Sequence, residues 1–263
     1  MRKQKLYILL MLAMSLSLSS PLGCRKIAEM TPEAVIVKAY AATKEVKSFH
    51  FSISVTIMGW NEGKASMEGG FLSPDRILMI IEQDGQREEV RHIGNKVYER
   101  DSETGEWRTQ EGPLALAALS TMQRFAESAQ PKDIAERLKG LEAIERLPDE
   151  VIDGINCVHY RGRSDPLKAA KERLANESDP RTKEALEQAM QTQAQMEMTL
   201  VTELWIGKGD YLLRQQRVTQ SMKVPPEEVD KHGTPAPEGT IWTVTMVMKF
   251  SDFNQPVEIE APF

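Results

Sequence analysis

From Phe49 to Val97 the chain alternates between apolar and polar positions. Phe49, Phe51, Ile53, Val55 and Ile57 fall on every second residue, with His50, Ser52, Ser54 and Thr56 between them. A strand with that period carries one apolar face and one polar face. Ala65, Met67, Gly69 and Phe71 repeat the pattern. Arg76 to Glu82, Val90 to Ile93 and Lys96 to Arg100 extend it. Asn61-Glu62-Gly63, Ser73-Pro74-Asp75, Asp84-Gly85 and Gly94-Asn95 supply the turns between them. The stretch predicts an antiparallel meander.

The flanks fill in the rest. Thr31-Pro32-Glu33 is a helix start, a capping hydroxyl followed by proline at the first helical position, and predicts a helix over 32–45. After a polar hairpin around Trp107, Leu114, Ala117, Leu119 and Phe125 suit a helix. Gly140 to Leu147 reads as a turn or short strand. The sheet resumes at Val151, turns at Asp153-Gly154 and continues through Cys157, Val158, His159 and Tyr160. Asp165-Pro166 and Asp179-Pro180 each open a helix, giving a helical insertion at about 166–196. Leu200 to Ile206 and Tyr211 to Met222 are strands. Val224 to Pro237 is a proline-rich exposed loop, and Trp242, Val244, Met246, Met248 and Phe250 alternate once more. Roughly ten strands with few helices between them make an α+β, mostly β, domain, and an antiparallel sheet of that many strands is expected to curl, split or close.

The first residues lie outside this domain. Arg2, Lys3 and Lys5 precede an apolar run from Leu6 to Leu18 and a small-residue exit, which is the layout of a secretory signal peptide. Gly23-Cys24 at its end resembles a bacterial lipoprotein signal, although Pro21 stands where leucine is usual. The expected organisation is a signal peptide over 1–23, a lipidated Cys24 with a tether over 24–30, and a single domain over 31–263. The formal net charge is −6 and becomes more acidic once the basic leader is removed. With no basic stripe, that excludes nucleic acid as a natural partner. The chain has two cysteines, Cys24 and Cys157, so a lipidated Cys24 leaves no disulfide framework.

Residues for covalent chemistry are sparse. The four histidines, His50, His92, His159 and His232, show no ligand spacing, and there is no Cys-x-x-Cys, nucleophile elbow or phosphate loop. His50, His92 and Glu89 are the one set that a sheet could bring together. No metal, cofactor or catalytic residue is expected. What stands out is soft and apolar: fourteen methionines, many of them on the strands beside Phe49, Phe51, Phe71, Trp205, Trp242 and Phe250. Methionine adapts to irregular apolar partners. The same residues also suit a plain sheet core covered by helices.

Several segments in order carry a resemblance. They are Val46-Lys47-Ser48-Phe49-His50-Phe51, Val151-Ile152-Asp153-Gly154 before Cys157-Val158-His159-Tyr160, Glu203-Leu204-Trp205-Ile206 before Tyr211-Leu212-Leu213-Arg214, and Phe250-Ser251-Asp252-Phe253-Asn254 before Pro256-Val257-Glu258-Ile259. In them the chain resembles the LolA/LolB-type lipoprotein carriers, and more closely the LppX/LprG-type lipid-binding lipoproteins. That resemblance implies a strongly curved antiparallel half-barrel sheet with an N-terminal helix and helical lid insertions. It implies a cavity for lipid or lipoprotein acyl chains lined by Phe49, Phe51, Ile53, Phe71, Trp205, Trp242, Val244 and Met246, with lid residues Leu114, Leu119 and Phe125. The helical insertion and a lid-holding arginine have no counterpart here that the resemblance identifies. The function implied is a membrane-anchored, extracytoplasmic protein of the bacterial cell envelope, the periplasm included, that carries lipid between envelope sites. The competing reading is an envelope sensor or scaffold that binds a protein partner through the same fold.

Overall fold

The computed structural model describes Ile27 and residues 30–59, 62–83, 85–110, 141–164, 166–224 and 234–263. In chain order the elements are α1 (Pro32–Lys44), β1 (Ser48–Met58), β2 (Gly63–Leu72), β3 (Arg76–Gln83), β4 (Gln86–Ile93), β5 (Lys96–Arg100) and β6 (Trp107–Gln110). After residue 140 come β7 (Leu141–Ile152), β8 (Ile155–Ser164), α2 (Pro166–Asn176), α3 (Pro180–Gln195), β9 (Thr199–Gly207), β10 (Leu213–Lys223) and β11 (Ile241–Ser251). The Thr31 hydroxyl accepts the Ala34 N–H at 3.3 Å and caps α1, with Pro32 and acidic Glu33 in the first turn and Lys44 in the last.

Among the described residues, eleven strands form one antiparallel sheet in the order β6-β5-β4-β3-β2-β1-β11-β10-β9-β8-β7. Each hairpin pairs with its neighbour in sequence. The exception is β1, which pairs with β11 from His50↔Ser251 to Met58↔Thr243 and so joins the two halves of the sheet at its centre.

This corrects the expected half-barrel. The sheet is open, with β6 and β7 as its two edges, and it is neither closed nor strongly curled. The ladders linking β1 to β5 and β1 to β11 run without a register shift. Irregularities are confined to β9–β10, between Leu213 and Gln215, and to β7–β8. Bulges are what bend strands sharply, and the long central strands lack them. The strand count is also one higher than the pattern suggested. Leu141 to Ile152, read as a turn or short strand up to Leu147, is a continuous twelve-residue edge strand.

Residues directly opposite in an antiparallel ladder point to the same side. The register therefore defines a front face, carrying Phe49, Phe51, Ile53, Tyr160 and Leu204, and a back face. On the front, α1 lies over the β7–β10 half. Val35, Ile36 and Ala39 form a buried cluster there with Val158, Tyr160, Leu204, Ile206 and Leu213. A second cluster, Val46, Phe49, Phe51 and Ile77, covers one end of β1–β3 and is flanked by Phe71, Leu212, Phe250 and Phe253. Among the described residues, α2 and α3 pack chiefly on each other.

The chain after β11 crosses the back face. Asn254 donates its backbone N–H to the Ser48 carbonyl at 2.8 Å, and its side-chain oxygen accepts the Lys47 N–H at 2.8 Å. Arg76 and Arg91 donate to the carbonyls of Ile259 and Glu260 at 3.1 and 2.9 Å. Ile259 is buried, and Phe263 meets Tyr98 edge-on with ring centroids 5.6 Å apart. Gly70 leaves room for this crossing: a Cβ there would stand 2.8 Å from Val257 Cγ1.

Candidate functional site

The register places the predicted apolar side chains strand by strand. Phe49 is opposite Phe71, and Phe51 is opposite Phe250. Ile53 lies between Met67 and Met248, Val55 between Ala65 and Met246, and Ile57 opposite Val244. On β10, Met246 faces Val218 and Trp242 faces Met222. Phe49, Phe51, Ile53, Phe71, Trp242, Val244 and Met246 thus share the front face. They are joined there by Met67, Met79, Met222 and Met248.

Burial is graded along this face. Phe49, Phe51, Ile77 and Met248 are buried, whereas Ile53, Val55, Met67, Met79, Val218, Trp242, Val244 and Met246 are half-buried. The aromatic end is tightly interlocked. Phe49 stacks on Phe71 at 5.1 Å between centroids and meets Phe250 edge-on at 5.8 Å. Gly69 lies between Phe51 and Met79, and a Cβ at that position would run into the Leu78 carbonyl oxygen and approach Phe51 Cζ to 2.9 Å. Trp242 Nε1 is closed off from solvent without a hydrogen-bond partner. The face is a greasy stripe whose methionines can adjust to a shape that is not their own.

Trp205 does not belong to this face. It pairs with His159 across β8–β9 and with Gln215 across β9–β10, which puts it on the back. There it stacks on His159, with centroids 4.1 Å apart and planes at 18°, and donates Nε1–H to Glu150 at 3.1 Å. Glu203 beside it is buried and accepts from Arg161 at 3.0 Å and from Arg217 at 3.0 Å. Burial alone would push the Glu203 carboxyl up. The hydrogen bonds and charges of Arg161 and Arg217 outweigh that and hold it below the ordinary carboxylate range. His159 Nδ1 lies 3.1 Å from Glu150 and Nε2 lies 3.6 Å from Glu203, without hydrogen-bond geometry. This is an ion-pair network on the back face, with Glu203 buried and its two arginines half-exposed beside the Trp205–His159 stack.

The suggested grouping of His50, His92 and Glu89 does not form. His50 and Glu89 are on the back and His92 is on the front. His92 is buried, and both of its ring nitrogens lack a partner. Burial pushes its pKa below the ordinary value, against the opposing influence of Asp75 and the Gly94 backbone. Sequence reasoning named this residue only in that grouping, because a lone histidine on a strand has no signature of its own. Cys157 is a free, buried thiol whose pKa is raised by burial.

An open depression of about 220 Å³ lies on the back of β1, β2, β3 and β11, lined by Ser52, Ser54, Ser66, Glu68, Glu82 and Lys249 among others. Its lining mixes these polar groups with Ile80 and Val247, and Ile53 and Met67 of the front-face stripe also border it. Among the described residues no cluster of histidine, cysteine and carboxylate is arranged to hold a metal, and no helix is long and apolar enough to cross a membrane. Cys24 and the lid residues Leu114, Leu119 and Phe125 lie outside the described residues.

No protein-family profile and no curated relative matches the chain. Solved structures similar to it include lipoprotein LppX of Mycobacterium tuberculosis, at 16% identity over 87% of this chain and 97% of that one, with a TM-score of 0.48. Another is LprF of Mycobacterium bovis, at 14% identity over 88% of this chain and 96% of that one, with a TM-score of 0.48. A LolA superfamily protein of Nitrosomonas europaea is similar at 10% identity over 87% of this chain and 95% of that one, with a TM-score of 0.26. These are the kinds of protein that the sequence segments resemble.

Proposed function

We propose that this protein is exported, anchored to a membrane of the bacterial envelope through lipid on Cys24, and carries acyl chains of a lipid or a lipoprotein on the front face of its sheet. One observation supports the reading above the others. The β1–β3 and β10–β11 strands align Ile53, Val55, Met67, Val218, Val244 and Met246 on one side, half-buried, with Gln216 and Gln220 of β10 as the polar positions beside Val218. Covering an acyl chain there is favourable by about 0.8 kcal/mol per methylene. Carriage then requires no covalent step and no catalytic residue. Release requires only an acceptor that covers the chain as well. A single acyl chain anchors a protein marginally, whereas the multiple chains of a bacterial lipoprotein anchor hold it stably.

Native mass spectrometry tests this. The full chain carrying Cys24→Ser, exported and purified without detergent, is expected to retain a stoichiometric lipid adduct that organic extraction identifies. An apo mass that stays unchanged after incubation with envelope lipids would overturn the reading.

A further inference from the structure

We propose that His92 anchors the head of the bound lipid, and that this head is an uncharged oxygen group, a hydroxyl or an ester carbonyl. The proposal rests on the acyl-chain reading of the front face. His92 stands in a row that crosses five strands: Phe49, Phe71, Ile77, His92 and Val97, each opposite the next. The other four positions are apolar, and the row ends at Gln110 on the β6 edge. His92 is 7% exposed, and neither ring nitrogen has a well-formed hydrogen bond, the Gly94 backbone being the one polar group of the chain close enough to interact with the ring. Buried polar groups are nearly always partnered, so two orphan nitrogens on an apolar face point to a partner that arrives with the ligand.

The chemistry of that partner follows from the surroundings. Burial disfavours the imidazolium, so the ring presents one N–H donor and one bare nitrogen acceptor. Glu88 and Glu99 share the front face through the neighbouring rows, with Arg108 opposite Glu99, and the Asp75 carboxylate lies in the turn before β3. Three carboxylates against one arginine leave the surroundings net negative, which opposes an anionic head. A glycerol ester offers a carbonyl for the donor and a hydroxyl for the acceptor, at no charge. The adjoining row leads from Val90 through Met79 and Gly69 to Phe51, next to Ile53 and Met67 of the stripe, and Val90 and Met79 are half-buried. A head at His92 therefore places its chain on the predicted acyl surface.

The test compares 1-monopalmitoylglycerol, palmitate and hexadecane as ligands of the exported Cys24→Ser chain. The wild type is expected to prefer the glyceride over palmitate at neutral pH. His92→Leu is expected to weaken the glyceride about tenfold, the scale of one lost hydrogen bond, and to leave hexadecane unchanged. His92→Gln, which keeps a donor and an acceptor, is expected to retain most of the affinity. Dipalmitoylglycerol and an S-diacylglyceryl-cysteine peptide carry the same ester oxygens, and whichever depends on His92 identifies the source as free lipid or lipoprotein. Equal glyceride binding by wild type and His92→Leu, or a preference for palmitate, would overturn the proposal while leaving the acyl surface intact. Failure of the wild type to take up any of these ligands, hexadecane included, would overturn both. If His92→Leu does not fold, the ring ¹⁵N resonances of His92 in the wild type decide the matter: they shift when the glyceride saturates the protein, and unshifted resonances refute the anchor.

Discussion

Replacing Phe49 by alanine probes the point where the two halves of the sheet are held together. Phe49 is 8% exposed and its ring has four aromatic neighbours: Phe71 on β2 at 5.1 Å, Phe250 on β11 at 5.8 Å, Phe253 beyond β11 at 6.2 Å and Phe51 on its own strand at 6.3 Å. A buried phenylalanine cut to alanine costs about 3–5 kcal/mol through lost transfer energy and the cavity left behind. Each well-placed aromatic pair adds about 0.5–1.5 kcal/mol beyond area. Phe49 sits at the end of β1, where neighbours can settle inward, so about 3–4 kcal/mol is expected. For a domain of this size that lowers Tm by roughly 6–16 °C. Urea denaturation followed by tryptophan fluorescence and by far-UV circular dichroism measures it, and coincident transitions license a two-state fit. A double-mutant cycle with Phe71→Ala should return a coupling of about 1 kcal/mol. A loss below about 1 kcal/mol for Phe49→Ala, with no coupling to Phe71, would refute the view that this aromatic cluster secures the β2–β1–β11 junction.

Other expectations follow from single contacts. Gly69→Ala should destabilise the fold by about 1–3 kcal/mol, because its methyl group meets the Leu78 carbonyl and the Phe51 ring; thermal melting reads the loss. Thr31→Ala should cost about 1 kcal/mol by removing the cap of α1, and Thr31→Ser should restore it. Glu203→Gln should cost about 1–2 kcal/mol, since charge-assisted bonds to two half-exposed arginines are lost. The depressed Glu203 pKa makes its contribution fully present above the ordinary glutamate value and lost as pH falls through the folded value, so the Gln variant should show a flatter acid limb below about pH 4.3. His92 also has a depressed pKa. Stability should therefore fall as pH drops below about 6.5, and His92→Leu should flatten that slope in denaturation measured against pH.

The parts of the fold that were legible in the sequence are those where one face is buried and the other is wet. β1 is the clearest case: Phe49 to Ile57 alternate with His50 to Thr56, and the ladder keeps that phase from β3 to β11. The phase of β9 was not legible. In Thr199–Gly207 both phases hold large apolar groups, Leu200, Leu204 and Ile206 on one and Val201 and Trp205 on the other. Trp205 was grouped with Phe51 as an apolar aromatic that the resemblance placed in the cavity, yet its pairing with His159 and Gln215 puts it on the back. β7 was underread for the opposite reason. Glu142, Glu145, Arg146, Asp149 and Glu150 give it no apolar rhythm, and its strand form comes from pairing with β8. The strongly curved half-barrel came from the resemblance and from the expectation that so many strands must curl, split or close, and the open sheet with its unbroken central registers overturns both. His92 was noticed but grouped with the wrong partners, because its interest lies in what surrounds it and not in its neighbours along the chain.

The central claim is that acyl chains lie on the front face, and a pair of adjacent substitutions tests it most directly. Met246 faces the front opposite Val55 and Val218, while Thr245, one residue away, faces the back opposite Thr56 and Thr219. Each is changed in turn to aspartate in the exported Cys24→Ser chain, folding is checked by circular dichroism, and binding of a fluorescent long-chain acyl probe is titrated. The account predicts that Met246→Asp abolishes binding and lowers the lipid adduct to background, while Thr245→Asp binds as the wild type does. Binding that survives Met246→Asp, or that falls equally with Thr245→Asp in folded proteins, would contradict it.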